Sequence, residues 1–176
     1  MTTSKVRAWP QIVLTGFMGA GKTTIGRALA AQLEAPLFDS DALIEDASGT
    51  RIGDLFGQLG EPKFRDLEHR CITAVAGRPG TILALGGGAI VCEATRASLR
   101  NCYIVYLEIS PTTSLRRIGD PSSRPLANTG ELTQLLEARE PIYRSVAQLI
   151  LPEQDEPPEA TLSRLLAALP PVYHPA

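Results

Sequence analysis

Short apolar runs alternate along the chain with longer stretches in which apolar residues recur every three or four positions, the two periods that separate strands from helices. Ile12-Val13-Leu14 runs into glycines and is followed by Ile25, Ala28, Leu29 and Leu33 at helical spacing, which predicts strand, loop and helix. Leu37-Phe38 predicts a second strand, after which Asp39-Ser40-Asp41 opens a helix carrying Leu43 and Ile44, with an Asp or Ser side chain available as cap. Two helical faces follow, first Ile52, Leu55, Phe56 and Leu59, then Phe64, Leu67, Cys71, Ile72 and Val75, divided by Gly60. Pro62 suits a first helical turn. Residues 81–85 predict a third strand ending at Gly86-Gly87-Gly88, and residues 103–107 a fourth, with Ser110-Pro111 as the next helix start. Segment 119–130, with two glycines, two prolines, Ser122, Ser123 and Asn128, reads as a mobile loop between helices. Leu132, Leu135, Leu136 and the 142–146 stretch resume a helical pattern; 149–151 predicts a fifth strand, and Leu162, Leu165, Leu166 and Leu169 a closing helix. The acidic, proline-rich 152–158 segment reads as a linker or solvated loop, and the tails 1–9 and 170–176 as frayed.

Strands that each hand over to a helix imply a three-layer α/β/α arrangement around a five-stranded parallel sheet, with ligands gathered at the carboxyl ends of the strands. At 176 residues the chain makes one domain, 1–176. A composition of 44% hydrophobic and 20% charged residues excludes a disordered or fibrous chain. The net charge of -2 gives no reason to expect nucleic acid or an anionic membrane as partner, so any anion site has to be built locally from a few basic groups. Cys71, Cys92 and Cys102 are scattered and odd in number, which fits reduced thiols rather than a disulfide or zinc framework. Neither a signal sequence nor an apolar stretch of membrane-spanning length is visible, and the expected location is the cytoplasm.

Gly16-Phe17-Met18-Gly19-Ala20-Gly21-Lys22-Thr23 sets two glycines four residues apart and follows them with Lys and Thr, between a strand and a helix. That pattern lets backbone N–H groups curl inward around phosphate oxygens, reinforced by the positive end of the following helix. In this phosphate loop, 16–24, Lys22 bridges the outer phosphates, the Thr23 hydroxyl ligates Mg²⁺ and Thr24 adds a phosphate contact. The third strand ends without a carboxylate, so Asp39 at the end of the second strand is the natural metal partner, with helix capping as its other reading. Asp39 and Asp41 are two residues apart beyond that strand; if extended geometry persists they point the same way. Arg65 lies beside an apolar helical anchor, and Arg139 precedes Pro141 near an expected helix end.

Gly19-Ala20-Gly21-Lys22-Thr23-Thr24, Phe38-Asp39-Ser40-Asp41, Gly60-Glu61 with Phe64-Arg65 and Glu68, Leu85-Gly86-Gly87-Gly88-Ala89, Arg124-Pro125-Leu126, and Arg139 with Pro141-Ile142-Tyr143 occur in this order, and with them the chain resembles the shikimate kinases over nearly its full length. The resemblance implies the nucleoside monophosphate kinase-like phosphate-loop fold and transfer of the γ-phosphate of ATP to the 3-hydroxyl of shikimate. It implies that Asp41 binds the ring hydroxyls, that Arg65 and Arg139 grip the carboxylate, and that Gly86, Gly87 and Gly88 let the ring approach the backbone. A forked guanidinium suits a planar carboxylate, and an ionised aspartate suits a diol. Glu68, three residues from Arg65, orients that arginine. Residues 40–76 become the substrate-binding helical region and 119–130 a lid that carries Arg124 to the transferring phosphate. Lys22, Asp41 and Arg124 are the catalytic candidates, Asp41 either accepting the hydroxyl proton or orienting the group. Arg117 is a candidate to stack on adenine, a solvated helix end being its other reading. One Mg²⁺ per subunit, held by Thr23 and Asp39, and a monomer acting on ATP and shikimate complete the expectation. The chain departs from the family after the last strand, where Leu151-Pro152-Glu153-Gln154-Asp155-Glu156 stands in place of a basic motif beside adenine. The two competing readings are a kinase for another small hydroxy acid, such as gluconate, and a non-catalytic ATP-binding regulator.

Overall fold

A computed structural model describes residues 9–118 and 129–173. Five parallel strands, β1 (Ile12–Thr15), β2 (Leu37–Asp39), β3 (Ile82–Ala84), β4 (Tyr103–Leu107) and β5 (Leu149–Leu151), form one sheet in the order β2-β3-β1-β4-β5. Every residue of β1 and β3 is buried. Because successive side chains along a strand point to opposite faces, full burial means that helices cover both. The three-layer α/β/α architecture follows. The helices are α1 (Lys22–Gln32), α2 (Ser40–Ser48), α3 (Ile52–Thr73), α4 (Glu93–Ser98), α5 (Pro111–Ile118), α6 (Thr129–Val146) and α7 (Pro158–Ala168).

All five expected strands are present. The two helical faces on either side of Gly60 belong to α3, whose two arms meet at Gly60 with φ 71° and ψ 164°. Phe64 and Phe56 pack edge to face at 5.2 Å, and with Ile44 and Leu55 they make a satellite core that seats the second arm of α3 on α2. The short helix α4 and the 3-10 turn Ala89–Val91 before it had no distinct signal in the apolar pattern.

Three expectations are corrected. Arg139 is not near a helix end: α6 continues through Pro141 to Val146. Residues 170–173 do not fray, because residues 171–173 form a 3-10 turn and Tyr173 is buried against Trp9 and Tyr103, with ring centroids 5.5 and 5.2 Å away; the 1–8 and 174–176 parts of the expected frayed tails lie outside the described residues. Apolar burial of two large rings outweighs the turn-favouring prolines. The linker reading of 152–158 gives way to the solvated loop: most of the segment is exposed, and it leads from β5 into α7, which packs on α1. Among the described residues, no helix is long and apolar enough to cross a membrane.

Candidate active site

The parallel register sets the site. Leu14 pairs with Ala84 and Ala84 with Asp39, so Gly16, Gly86 and Asp41, each two residues further on, leave the sheet side by side. The phosphate loop turns at Gly16, where φ is 145° and a Cβ would stand 2.5 Å from the Leu107 carbonyl oxygen; only glycine permits both. Lys22 is the first residue of α1, and its Nζ donates to the Phe17 carbonyl at 2.8 Å. From outside the loop, Ser114 Oγ donates to the Met18 carbonyl at 2.9 Å and Arg117 Nη1 to the Gly19 carbonyl at 3.3 Å.

Asp39 carries the cap read for it and also bonds the Thr23 hydroxyl, its partner in the expected metal site. Its Oδ1 accepts from the Asp41 and Ala42 backbone N–H groups at 3.0 and 3.4 Å, capping α2, while Oδ2 accepts from Thr23 Oγ1 at 2.7 Å. That cap ends the extended geometry at Asp39, so Asp41 sits in the first turn of α2 rather than in line with Asp39. Both carboxylates nevertheless line one cleft of about 210 Å³ with Lys22, Thr23, Gly86 and Gly87. Thr23 and Asp39 offer two hard oxygen donors there, a set that suits Mg²⁺ carried by phosphate oxygens and water rather than a closed protein cage. No group of three or more His, Cys, Asp or Glu side chains able to hold a metal occurs among the described residues.

The triple-glycine turn is the hinge point of the second site. A Cβ on Gly86 would fall 2.5 Å from Asp41 Oδ1 and 3.0 Å from Glu68 Oε1, and one on Gly88 would overlap the Arg65 guanidinium. A Cβ on Gly87 would stand 3.3 Å from the Met18 backbone nitrogen. The three glycines therefore hold Asp41, Arg65 and the phosphate loop in contact with one strip of backbone. The Gly86 N–H donates to the buried Ser40 hydroxyl at 2.7 Å, so the cap candidate that α2 does not use ties the turn to α2.

Arg65 Nη1 donates to Glu68 Oε2 at 2.6 Å, and Nη2 lies 3.4 Å from Glu61 Oε1. Glu68 is 2% exposed. Burial raises its carboxyl above the ordinary value of 4.5; Arg65 draws it down and Asp41 adds to the rise, while Arg139 is close enough to lower it. Arg139 also lies close enough to the Tyr143 phenol, which burial raises, to draw its pKa down. The structure thus brings Asp41, Arg65, Glu68 and Arg139 to one locus beside the turn. A carboxyl raised in the folded state favours the fold while protonated, and that contribution is lost as pH rises through its folded pKa. Glu68→Gln removes this titration. From pH 4.5 upward, wild-type stability should fall relative to Glu68→Gln, as read by thermal unfolding across pH, while the variant binds shikimate more weakly because Arg65 loses its ionic orienter.

On the other flank lies a cleft of about 420 Å³, lined by Ala20, Thr24, Arg117, Glu153, Pro158 and Arg164 among others. Gly19, Gly21 and Thr24 line both clefts. Arg117 is exposed and also lines this cleft. Arg164 carried no signal in the apolar pattern, yet it supplies a cation where the expected basic motif is absent. Its Nε donates to Glu156 Oε1 and its Nη2 to the Pro152 carbonyl, both at 2.9 Å. Although burial raises the Glu153 carboxyl, hydrogen bonds from Thr113 and Ser110 hold it below the ordinary value. Arg124, and with it the 119–128 part of the expected lid, lies outside the described residues.

A phosphate loop at the carboxyl end of β1, flanked by a base-sized cleft and by a compact cluster of carboxylates and arginines, defines a kinase of the nucleoside monophosphate kinase-like fold. The family model for shikimate kinase matches residues 18–170. A shikimate kinase of Thermobifida fusca is 42% identical over 165 residues, covering 92% of this chain and 95% of that protein. One of Rhodococcus jostii is 40% identical over 164 residues, covering 91% and 98%. Among solved structures, the shikimate kinase from Acinetobacter baumannii in complex with shikimate superimposes with a TM-score of 0.86 at 34% identity, covering 91% of this chain and 92% of that one. The chain belongs to the shikimate kinase family and is an ATP-dependent kinase.

Proposed function

We propose that the chain transfers the γ-phosphoryl group of ATP to the 3-hydroxyl of shikimate, giving shikimate 3-phosphate and ADP. The observation that carries this is the contact of three functional groups with one turn: Asp41 at Gly86, the phosphate loop at Gly87 and Arg65 at Gly88. An acceptor laid on that turn has its hydroxyl edge at Asp41, its carboxylate at Arg65 and Arg139, and the phosphate loop beside it. That the Acinetobacter relative is a complex with shikimate supports the same acceptor here.

Transfer through a loose transition state depends on alignment and on charge neutralisation rather than on covalent chemistry. The loop amides and Lys22 hold the outer phosphates, and Thr24 and Arg117 take further nucleotide contacts. Thr23 and Asp39 would hold one Mg²⁺, which would supply positive charge against the transferring phosphates. Asp41 takes or steers the proton of the acceptor hydroxyl, and Arg124 completes the charge around the transferring group.

Purified protein given ATP and Mg²⁺ should release ADP with shikimate and turn over gluconate and quinate with a kcat/KM lower by at least about 10³, the discrimination expected where buried charged groups would be left unpaired. A larger kcat/KM for gluconate overturns the acceptor. ATP binding without turnover on any acceptor favours the regulatory reading.

A further inference from the structure

We propose that Tyr143 is a positioning residue for the acceptor, tying the carboxylate-binding Arg139 to the triple-glycine turn through its phenol. The proposal rests on the acceptor site described above. Tyr143 lies one helical turn beyond Arg139 on α6, the spacing that puts two side chains on one face. It is fully buried, and its hydroxyl donates to the Gly87 carbonyl at 2.5 Å. The Arg139 guanidinium lies close enough to the same phenol to draw its pKa down. Burial raises the phenol to about 12, with Arg139 and Arg65 drawing it down, so it stays protonated and able to donate throughout the neutral range.

The ring has its own seat. It stacks on Tyr106 with centroids 5.1 Å apart and planes at 24°, and Tyr106 pairs in the sheet with Thr15, the residue before the phosphate loop. One side chain therefore touches the arginine that grips the carboxylate, the backbone of the turn under the acceptor, and the strand pair at the root of the phosphate loop. Arg139 is otherwise a long side chain with several rotamers. The phenol selects among them, and the Gly87 contact fixes the peptide that abuts Met18.

A role confined to packing resides in the ring; a positioning role resides in the hydroxyl. Tyr143→Phe keeps the ring on Tyr106 and deletes only the hydroxyl. KM for shikimate should rise about 10–20-fold, the lower end of the loss expected for a hydrogen bond to a charged group, with KM for ATP and kcat each within about twofold. Thermal unfolding reports separately on the fold. In a cycle with Arg139→Lys the two effects on shikimate KM should be less than multiplicative, because both act on one guanidinium. An unchanged shikimate KM in Tyr143→Phe, an equal rise for both substrates, or fully multiplicative effects would each overturn the proposal. The outcomes are separable from failure of the acceptor reading. If wild type turns over shikimate and Arg139→Ala raises its KM while Tyr143→Phe does not, only the role of Tyr143 falls; if wild type does not turn over shikimate, both fall.

Discussion

Lys22→Met should lower kcat by roughly 10³-fold while leaving shikimate affinity within about threefold. Lys22 is 9% exposed and its ammonium is held to the Phe17 carbonyl at 2.8 Å, so it is set over the loop before nucleotide arrives and needs little reorganisation. Two unit charges about 4 Å apart at an effective dielectric near 20 interact by about 4 kcal/mol. Where that interaction strengthens as charge shifts toward the leaving oxygen, it corresponds to about three decades of rate. Methionine keeps much of the buried stem, so folding should survive. Turnover by ADP release, shikimate binding by calorimetry and thermal unfolding together decide it. A residual kcat within tenfold of wild type would show that the ammonium braces the loop and contributes little to the transition state.

Gly88→Ala should raise KM for shikimate by about 10–100-fold, the worth of a charge-assisted carboxylate contact, with KM for ATP nearly unchanged. The reasoning turns on the backbone at this position. Gly88 has φ −101°, which any residue adopts, so the substitution tests space alone. A Cβ there overlaps the Arg65 guanidinium, and the arginine has to leave its place. Glu68, 2% exposed, then loses its closest cation, and because burial already raises its carboxyl it responds by taking up a proton rather than remaining a buried anion. Gly86→Ala meets Asp41 instead and should act mainly on kcat. The pair thereby separates carboxylate grip from hydroxyl alignment by two Cβ atoms on one turn. Equal losses for ATP and shikimate in Gly88→Ala would mean that the turn only maintains the fold.

Much of this was legible beforehand because it is local. Continuous apolar runs marked the five strands, and the spacing of Gly16 and Gly21 before Lys22 and Thr23 marked the phosphate loop. A loop that needs positive φ at fixed positions writes them as glycines. The place of Asp39 was half legible: capping and metal binding were read as alternatives, whereas one carboxylate oxygen caps α2 while the other accepts from Thr23. Other features left no local trace. Segment 152–158 is mostly solvated, as its composition reads, but the composition does not show that Glu153 accepts from the Ser110 backbone N–H at 2.6 Å, that Glu156 pairs with Arg164 at 2.7 Å, or that both line the larger cleft. Tyr173 lies among prolines, but rings far away in sequence bury it.

By itself the sequence determined the alternation of strand and helix, the phosphate loop and the residue types able to hold a carboxylate and a diol, because backbone preference and side-chain chemistry act over a few neighbouring residues. Tertiary structure alone decided the strand order, the register that sets Gly16, Gly86 and Asp41 abreast, the meeting of Arg65 with Arg139 around Glu68, and the seat of Tyr143. Those depend on which distant surfaces bury one another, and that choice is made by packing across the sheet, where separation along the chain carries no information.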